Sequence, residues 1–558
     1  MKIKGARWVI GFFLLSIFAG STPAAAPAQT DDLAARIRRL ENGVIPNPGF
    51  YLKGTEPERR PVFDRMKDYR VPGVSIAVIN DFKIEWAKGY GILEAGGSVP
   101  VTPQTLFQAA SISKPVAAAA ALHLVEAGRL SLDEDVNAKL KSWKIPDNDW
   151  TKEKKVTLRR ILSHSAGLTV HGFPGYEPGT PIPSLRQILD GEKPANTSPI
   201  RVDIEIGSKF RYAGGGYTVM QQLLMDVLGK PFPEIMKENV LTKAGMIDST
   251  YEQPLPKDME ARAARGHRMN GSLVKGNWHV YPEMAAAGLW TTPSDLCRFA
   301  LEIISSMKGT STRVLSAAMA KEMLTIQKAP YGLGLSLAGA GASFSFSHGG
   351  GNEGFRCLLF VFPERGQGAA VMTNGDGGGD LMTEIFRGIA LEYGWPDLGP
   401  RERDAARLES AGLDAYAGIY EFSPAYKITV TREGDRLVLD SIMVNPTGWE
   451  KVAFYPNTAG SFFNLKTADI LTFSKDAEGK VTGLALRQGP RERKASKKST
   501  HSTSRAEAGG RASHSRSCRL CQHCQGRWQG RSRGMLRVNT ERRFLPRFSN
   551  LDLAPPNV

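Results

Sequence analysis

Two groups of strand patterns, separated by a long helical region, constrain the fold of this chain more than any other feature of its sequence. The first group is a hairpin of residues 71–80 and 82–90, both rich in β-branched and aromatic residues. The second group covers residues 342–347 and 354–374. Helical patterns occupy residues 113–127, 157–163, 215–229, 233–244, 293–307, 316–326 and 380–394. Strands at both ends of a segment with helices between them predict an α/β domain whose sheet carries a helical insertion.

The pattern changes beyond residue 413, where short alternating strands are separated by turn residues. These strand patterns occupy residues 426–432, 436–440, 461–465, 470–473 and 481–486. Period-2 alternation without intervening helices predicts a second, all-β domain, either a small sheet or an open barrel.

The N-terminus has the three parts of a secretory signal. Three basic residues precede an apolar run at 8–19, and small residues follow at 23–28. The run is shorter than the roughly 20 residues of a membrane span, so we expect no stable membrane anchor. Residues 1–28 therefore predict a cleavable signal peptide and a periplasmic or secreted protein.

The positive charge of the chain is concentrated at its C-terminus. The chain has 72 Lys and Arg against 56 Asp and Glu, a net charge of +16. Residues 491–558 contain 16 basic and 4 acidic residues, so this segment carries +12 and the remainder only +4. The high charge therefore belongs to the tail and says nothing about the partners of the folded part, and for an exported protein we expect no nucleic-acid partner.

Three of the five cysteines, Cys518, Cys521 and Cys524, also lie in this basic tail. Their spacing is compatible with zinc binding, and clustered arginines are compatible with nucleic-acid binding. Apolar periodicity is nearly absent, however, and the composition changes abruptly after Lys494. We interpret residues 493–558 as a tail that is either disordered or translated out of its original reading frame, with zinc and nucleic-acid binding as alternatives.

Ser111 and Lys114 form a Ser-x-x-Lys motif at the start of an apolar run. Residues three apart on a helix lie side by side, and a lysine packed against apolar surface loses its proton easily enough to activate a serine. The same spacing occurs at 272–275 and 305–308, where turn residues and solvent are expected around the lysine. A serine that merely caps a core helix is the structural alternative for Ser111.

Two glycine-flanked segments are candidates to complete a site around this pair. Tyr212 precedes a helix, and a nearby lysine ammonium would lower the pKa of its phenol. His348 begins the run that ends at Gly351, whose backbone N–H groups can bind an oxyanion, and His348 itself can hold a carboxylate or ester oxygen. Both residues also have purely structural interpretations. Residues 162–168, around His164, are expected to support the site rather than react.

Taken in order, these motifs resemble those of the β-lactamase-related serine hydrolases, a group that includes class C β-lactamases, penicillin-binding D,D-peptidases, D-aminopeptidases and esterases. Ser111-x-x-Lys114 resembles the first motif, Tyr212 the tyrosine of Tyr-x-Asn, and the segment from His348 to Gly350 the Lys-Thr-Gly strand. The resemblance implies an α/β (α+β) fold with an antiparallel sheet flanked by helices and an all-helical lobe. The residues after 413 resemble the lipocalin-like β domain of some members.

The composition of the two ends and the family resemblance together predict four segments. They are the signal peptide at 1–28, the hydrolase domain at 29–400, the lipocalin-like β domain at 401–492, and the basic tail at 493–558.

The resemblance also implies an acyl-enzyme mechanism. Ser111 would attack a carbonyl group, and Lys114 and Tyr212 would share the proton transfers, with the identity of the base left open. The N–H groups of Ser111 and Gly351 would form the oxyanion hole, and His348, Gly349, Gly350 and Gly214 would contact the substrate. No metal and no organic cofactor is expected.

Two departures from the family pattern bear on the substrate. Gly214 stands where the Tyr-x-Asn motif has asparagine, and His348-Gly349 replaces Lys-Thr, which exchanges a permanent cation for a switchable imidazole. Both changes weaken the grip on a penicillin carboxylate. The sequence therefore predicts a small ester, amide or D-amino-acid peptide as substrate, with a β-lactamase and a slowly acylating cell-wall-binding protein as alternatives.

Overall fold

A computed structural model describes residues 33–424, 426–441 and 451–498 of the chain. The predicted signal peptide and nearly all of the predicted tail lie outside these ranges. Within them, the longest apolar helices fall short of what a bilayer crossing requires.

The helices are α1 (Leu33–Asn42), α2 (Val62–Asp68), α3 (Ser113–Glu126), α4 (Leu158–Leu162), α5 (Leu185–Asp190), α6 (Gly214–Leu228), α7 (Phe232–Met236), α8 (Thr242–Ala244), α9 (Lys257–Glu260), α10 (Met284–Ala287), α11 (Pro293–Met307), α12 (Ala317–Met323), α13 (Gly378–Tyr393) and α14 (Ser410–Asp414). The strands before the second domain are β1 (Phe50–Leu52), β2 (Gly73–Asn80), β3 (Lys83–Gly91), β4 (Phe107–Gln108), β5 (Trp290–Thr291), β6 (Ser336–Ala338), β7 (Ser345–Asn352), β8 (Phe355–Phe362), β9 (Gln367–Thr373) and β10 (Arg401–Arg403). Those of the second domain are β11 (Gly418–Ser423), β12 (Tyr426–Glu433), β13 (Arg436–Ser441), β14 (Val452–Thr458), β15 (Ser461–Phe463), β16 (Ile470–Lys475), β17 (Val481–Gln488) and β18 (Arg491–Lys497).

A six-stranded antiparallel sheet of order β3-β2-β9-β8-β7-β6 forms the centre of the first domain. Strand β2, from the hairpin near the start of the domain, pairs with β9, one of the strands near its end. In this antiparallel pairing Val74 lies opposite Thr373. This pairing confirms the predicted fold, in which strands from both ends of the segment share one sheet.

Helices cover both faces of this sheet. One face packs on α13 and α1, and the opposite face packs on α11 and the helical lobe. Because both faces are covered, every residue of β2 except Asn80 is buried. Helix α3 lies inside the larger apolar cluster, and all its residues from Ser113 to Leu122 are buried. The prediction that Ser111 opens a core helix is therefore confirmed.

The second domain is a closed antiparallel barrel of eight strands, β11 to β18. Its ends meet where Tyr420 pairs with Lys497, so the open-barrel alternative is wrong. Large apolar side chains such as Phe462 and Leu471 fill the interior. The last strand, β18, extends to Lys497 and contributes the buried Ala495 to the core of the barrel, so the domain continues past the predicted boundary at residue 492.

Candidate active site

Ser111 lies in a 3₁₀ turn, Ala110–Ile112, that leads directly into α3. Ala110, the residue before it, has a φ of +48°, a left-handed conformation that an alanine rarely adopts. Strained backbone of this kind persists where surrounding packing over-determines it, often at functional sites. Lys114 Nζ lies 3.1 Å from Ser111 Oγ and donates a second hydrogen bond of 2.8 Å to the Ala286 carbonyl oxygen at the end of α10.

Burial controls the charge of Lys114. Its side chain is 1% exposed, and this desolvation lowers its pKa from the ordinary value to about 7. The aromatic rings of Tyr212 and Tyr217 lie nearby, with centroids 5.0 and 5.8 Å from Nζ. A lysine with a pKa near 7 is partly neutral at physiological pH, so its amine can accept a proton from the neighbouring serine.

The two other Ser-x-x-Lys sequences lie in a different environment. Lys275 forms an ion pair with Glu177 and remains 76% exposed, and the exposed Lys308 lies over the ring of Phe82. The sequence-based expectation that water surrounds these two lysines is confirmed.

Tyr212 reaches the pair from the segment that precedes α6. Burial raises its pKa well above the ordinary value, and a hydrogen bond with Ser111 opposes this rise only in part. The expectation that Lys114 would lower the pKa of Tyr212 is wrong, because the phenol and the amine share the same buried environment. At neutral pH Tyr212 is therefore a proton donor.

His164 holds Tyr212 in this position. Its imidazole stacks on the Tyr212 ring with centroids 4.2 Å apart, and its Nδ1 accepts a 3.1 Å hydrogen bond from the Ala213 backbone N–H. His164 has a φ of +55°, so its backbone also adopts the left-handed conformation. The contacts agree with the supporting role predicted for residues 162–168.

Replacing His164 with alanine is expected to lower kcat by about 10–100-fold, because Tyr212 loses both its stacking partner and the anchor of its loop. His164→Asn should retain more activity, since its amide oxygen can accept the Ala213 N–H and asparagine tolerates a left-handed backbone. Steady-state kinetics on an activated ester would test this ordering. Equal activity of His164→Ala and the unmodified protein would contradict it.

A side chain would be crowded at Gly214, where the family motif has asparagine. A Cβ at this position would lie 3.0 Å from the His171 carbonyl oxygen and 3.1 Å from Phe173 Cε2. At the next position, Gly215, a Cβ would lie 2.5 Å from the Thr169 carbonyl oxygen. The loop at 169–173 thus packs so closely on the start of α6 that it excludes a side chain at Gly215 and crowds one at Gly214.

His348 is fully buried and neutral. Burial, followed by the charge of Lys114, lowers its pKa to about 3, so the expectation of an imidazole that switches near neutral pH is wrong. Its Nδ1 donates a 2.7 Å hydrogen bond to the Gly349 carbonyl oxygen, which leaves Nε2 as an acceptor. Among the described residues Nε2 has no hydrogen-bond partner.

Strand β7 brings its glycines against the turn that carries Ser111. A Cβ on Gly350 would lie 2.2 Å from the Ala109 carbonyl oxygen and 2.5 Å from Cys357 Sγ, so only glycine fits. In the described part of the sheet, β6 pairs with β7 only from Ser345 to Ser347. The edge from His348 to Gly351 is thereby left available beside Ser111.

Several aromatic residues of the site escaped sequence analysis. Tyr331 lies between Phe210 and His348, and His171 lies 4.9 Å from the Tyr212 ring centroid. These residues come from three separate loops with no mutual spacing in sequence. Only the chain order of the family motifs could have indicated where to look.

The fold and this Ser–Lys–Tyr arrangement define a class of serine hydrolases, and comparison with known proteins identifies the family. The profile of the Beta-lactamase family matches residues 59–393, more than half of the chain, so the chain belongs to this family and is a serine hydrolase. A second profile, a domain of unknown function (DUF3471), matches residues 402–499 and thus covers the barrel.

Individual relatives carry several different names. Penicillin-binding protein 4 from Amycolatopsis lactamdurans is 26% identical over 387 residues, which make up 64% of this chain and 96% of that protein. A D-aminopeptidase from Brucella anthropi is 23% identical. The matched residues make up 63% of this chain and 65% of that protein, slightly less than two thirds of its length. The structure of an octameric penicillin-binding protein homologue from Pyrococcus abyssi has the same fold, with a TM-score of 0.54, 22% identity, and coverage of 78% of this chain and 98% of that one.

Proposed function

We propose that the chain is an exported hydrolase that forms an acyl-enzyme at Ser111 on a small uncharged ester or amide. The observation that carries the proposal is the 3.1 Å contact between Ser111 Oγ and the buried Nζ of Lys114. Export rests on the sequence of residues 1–28.

Lys114 is the better candidate for the base. Its lowered pKa makes the neutral amine available at neutral pH, whereas the raised pKa of Tyr212 keeps the phenol protonated. In this assignment the amine accepts the Ser111 proton as Oγ attacks the carbonyl carbon. Tyr212 then donates a proton to the leaving group and is reprotonated from Lys114, and water later releases the acyl group.

The N–H groups of Ser111 and Gly351 are the proposed oxyanion hole. The close contact of Gly350 with Ala109 supports this placement, because it fixes the next residue of β7 beside the nucleophile turn. Donors aimed at the developing oxyanion lower the barrier without reorganising during the reaction.

The neutral surroundings of His348 support an uncharged substrate. A carboxylate on the substrate would meet a neutral imidazole where the family has a lysine ammonium. The hydrogen bonds of Lys114 and His348 go to Ser111 and to the backbone carbonyl oxygens of Ala286 and Gly349, and among the described residues neither side chain contacts a carboxylate. The site thus offers no evident partner for a substrate ammonium either, which favours esters over free D-amino-acid amides.

A substrate panel tests this proposal. The purified protein and its Ser111→Ala variant would be assayed with p-nitrophenyl acetate and butyrate, D-alanine p-nitroanilide and nitrocefin, each corrected for uncatalysed hydrolysis. We expect kcat/KM for the esters to exceed that for the other two substrates by about 100-fold or more. The anilide carries an ammonium and nitrocefin a carboxylate, and a buried site without a partner for either charge discriminates against both.

Other outcomes identify the alternatives. Dominant nitrocefin turnover would establish the β-lactamase alternative, and dominant anilide turnover would establish a D-aminopeptidase. A stoichiometric burst without turnover would indicate the slowly acylating binding protein. Equal rates from the protein and Ser111→Ala would exclude Ser111 as the nucleophile.

A further inference from the structure

A cavity of about 140 Å³ lies on the face of the sheet that is turned away from Ser111. It is bounded by Pro48, Leu358, Phe360, Phe386, Arg387 and Arg401, among others. Leu358 and Phe360 belong to the apolar cluster under α13, whereas their strand neighbours Cys357 and Leu359 face the cluster that contains α3. The cavity therefore belongs to a different part of the molecule from the candidate active site, beneath the segment that leads to the barrel.

Two arginines line this cavity without a carboxylate partner. Arg387 Nη1 donates a 2.6 Å hydrogen bond to Asn47 Oδ1, and Arg401 is held through its backbone N–H by the Gly49 carbonyl oxygen at 2.8 Å. Within the described ranges neither guanidinium forms an ion pair. Burial lowers the pKa of Arg387, the charge of Glu384 opposes this in part, and the positive charge of Arg401 lowers the pKa further because the two cations repel each other.

Three carboxylates lie near these two cations, but within the described residues none of them forms an ion pair with either guanidinium. Glu384 attracts Arg387 but is already bound by Arg65 at 2.7 Å. Asp380 accepts a hydrogen bond from Asn47, and Asp397 lines the cavity without an ion pair in the described structure.

We propose that this cavity binds a small apolar monocarboxylate, with its carboxylate at Arg387 and Arg401. Guanidinium groups bind carboxylates through paired, charge-assisted hydrogen bonds. Leu358, Phe360 and Phe386 provide an apolar floor for the rest of the ligand. The volume is close to that of an engineered apolar cavity of about 150 Å³ that binds benzene, so a benzoate-sized molecule fits.

The basic tail is a poor occupant of this cavity. Residues 499–558 contain 11 basic and 3 acidic residues, so their charge has the same sign as that of the two arginines. An external carboxylate is complementary in both charge and polarity.

Isothermal titration of the full chain with benzoate, and with benzamide as the uncharged analogue of the same shape, tests the proposal. We expect saturable benzoate binding that weakens at least about tenfold in Arg387→Gln and in Arg401→Gln. Arg186→Gln is the matched control, since Arg186 is 74% exposed and its weak ion pair with Asp190 lies elsewhere. Ester hydrolysis should be unchanged in all three variants, which shows that they remain folded.

Thr383→Trp provides a second variant that removes no charge. Thr383 lines the cavity from α13, so an indole there should fill the space and block benzoate. The proposal is overturned by the absence of saturable binding, by equal affinity for benzamide, or by benzoate binding that survives the arginine and tryptophan variants. If benzoate still binds to these variants and inhibits hydrolysis competitively, its binding site is at Ser111 instead.

Discussion

Replacing Lys114 with methionine is expected to remove hydrolysis nearly as completely as replacing Ser111 itself. Methionine has a similar length and apolar character, so it preserves the packing of α3 while removing the amine 3.1 Å from Ser111 Oγ. Loss of the only neutral amine beside Oγ in the described structure should lower kcat/KM by about 10³-fold or more. Lys114→Arg should fail as well, because a guanidinium stays protonated in proteins.

The pH dependence of the unmodified protein provides a second readout of the same residue. Because the pKa of Lys114 is about 7, the protonated form dominates below that pH and cannot accept the Ser111 proton. We expect kcat/KM to rise with pH, by about tenfold per unit well below pH 7, and to level off above it. A profile that is flat from pH 5 to 8 would contradict the assignment of Lys114 as the base.

Stability measurements separate the loss of chemistry from the loss of fold. The pKa of Lys114 is lowered in the folded protein, whereas the unfolded chain holds this proton up to a pH of roughly 10.4. Between these values the unfolded state binds more protons, so this residue makes the free energy of unfolding rise with pH from about 7 to about 10. Lys114→Met should be more stable than the unmodified protein at pH 7, with a smaller difference at pH 9, as measured by denaturant unfolding.

The sheet and the main helices could be predicted from local pattern. The helix at 293–307 has an apolar face of helical periodicity, the helix at 113–126 is apolar on all sides, and the hairpin strands Gly73–Asn80 and Lys83–Gly91 are rich in β-branched and aromatic residues. These local signals do not depend on distant contacts. The closure of the barrel could not be predicted, because it depends on one non-local pairing, that of Tyr420 with Lys497. The basic composition of β18 also concealed a strand in which Ala495 alone is buried.

The candidate site shows a similar division. The Ser-x-x-Lys spacing, together with the apolar run that follows it, was enough to indicate Ser111 and Lys114, because their contact depends on the local geometry of the turn and the first residues of α3. The charges of Tyr212 and His348 were predicted wrongly, because burial dominates both pKa values and the depth of a loop residue is set by tertiary packing. For the same reason sequence did not reveal that the Ala286 carbonyl oxygen binds Lys114.

Replacing Gly350 with alanine should impair catalysis almost as severely as changing the reacting groups, although it adds only one methyl group. The new Cβ would lie 2.2 Å from the Ala109 carbonyl oxygen, so either β7 or the turn that carries Ser111 must move. A displacement of about 1 Å between Ser111 and Gly351 would move the two proposed oxyanion donors apart, and such a shift typically costs about 100-fold in rate. The loss should appear in kcat, since the groups that move stabilise the transition state.

Gly349→Ala is the matched control for this prediction. A Cβ at Gly349 would meet its nearest neighbours, the Cys357 carbonyl oxygen and Leu358 Cδ1, at 3.9 and 4.0 Å, which is ordinary van der Waals contact. Its effect on kcat should therefore be much smaller than that of Gly350→Ala, with both variants compared by ester kinetics and thermal unfolding. Equal effects of the two substitutions would mean that backbone flexibility, rather than the close approach of β7 to Ala109, is what this glycine run provides.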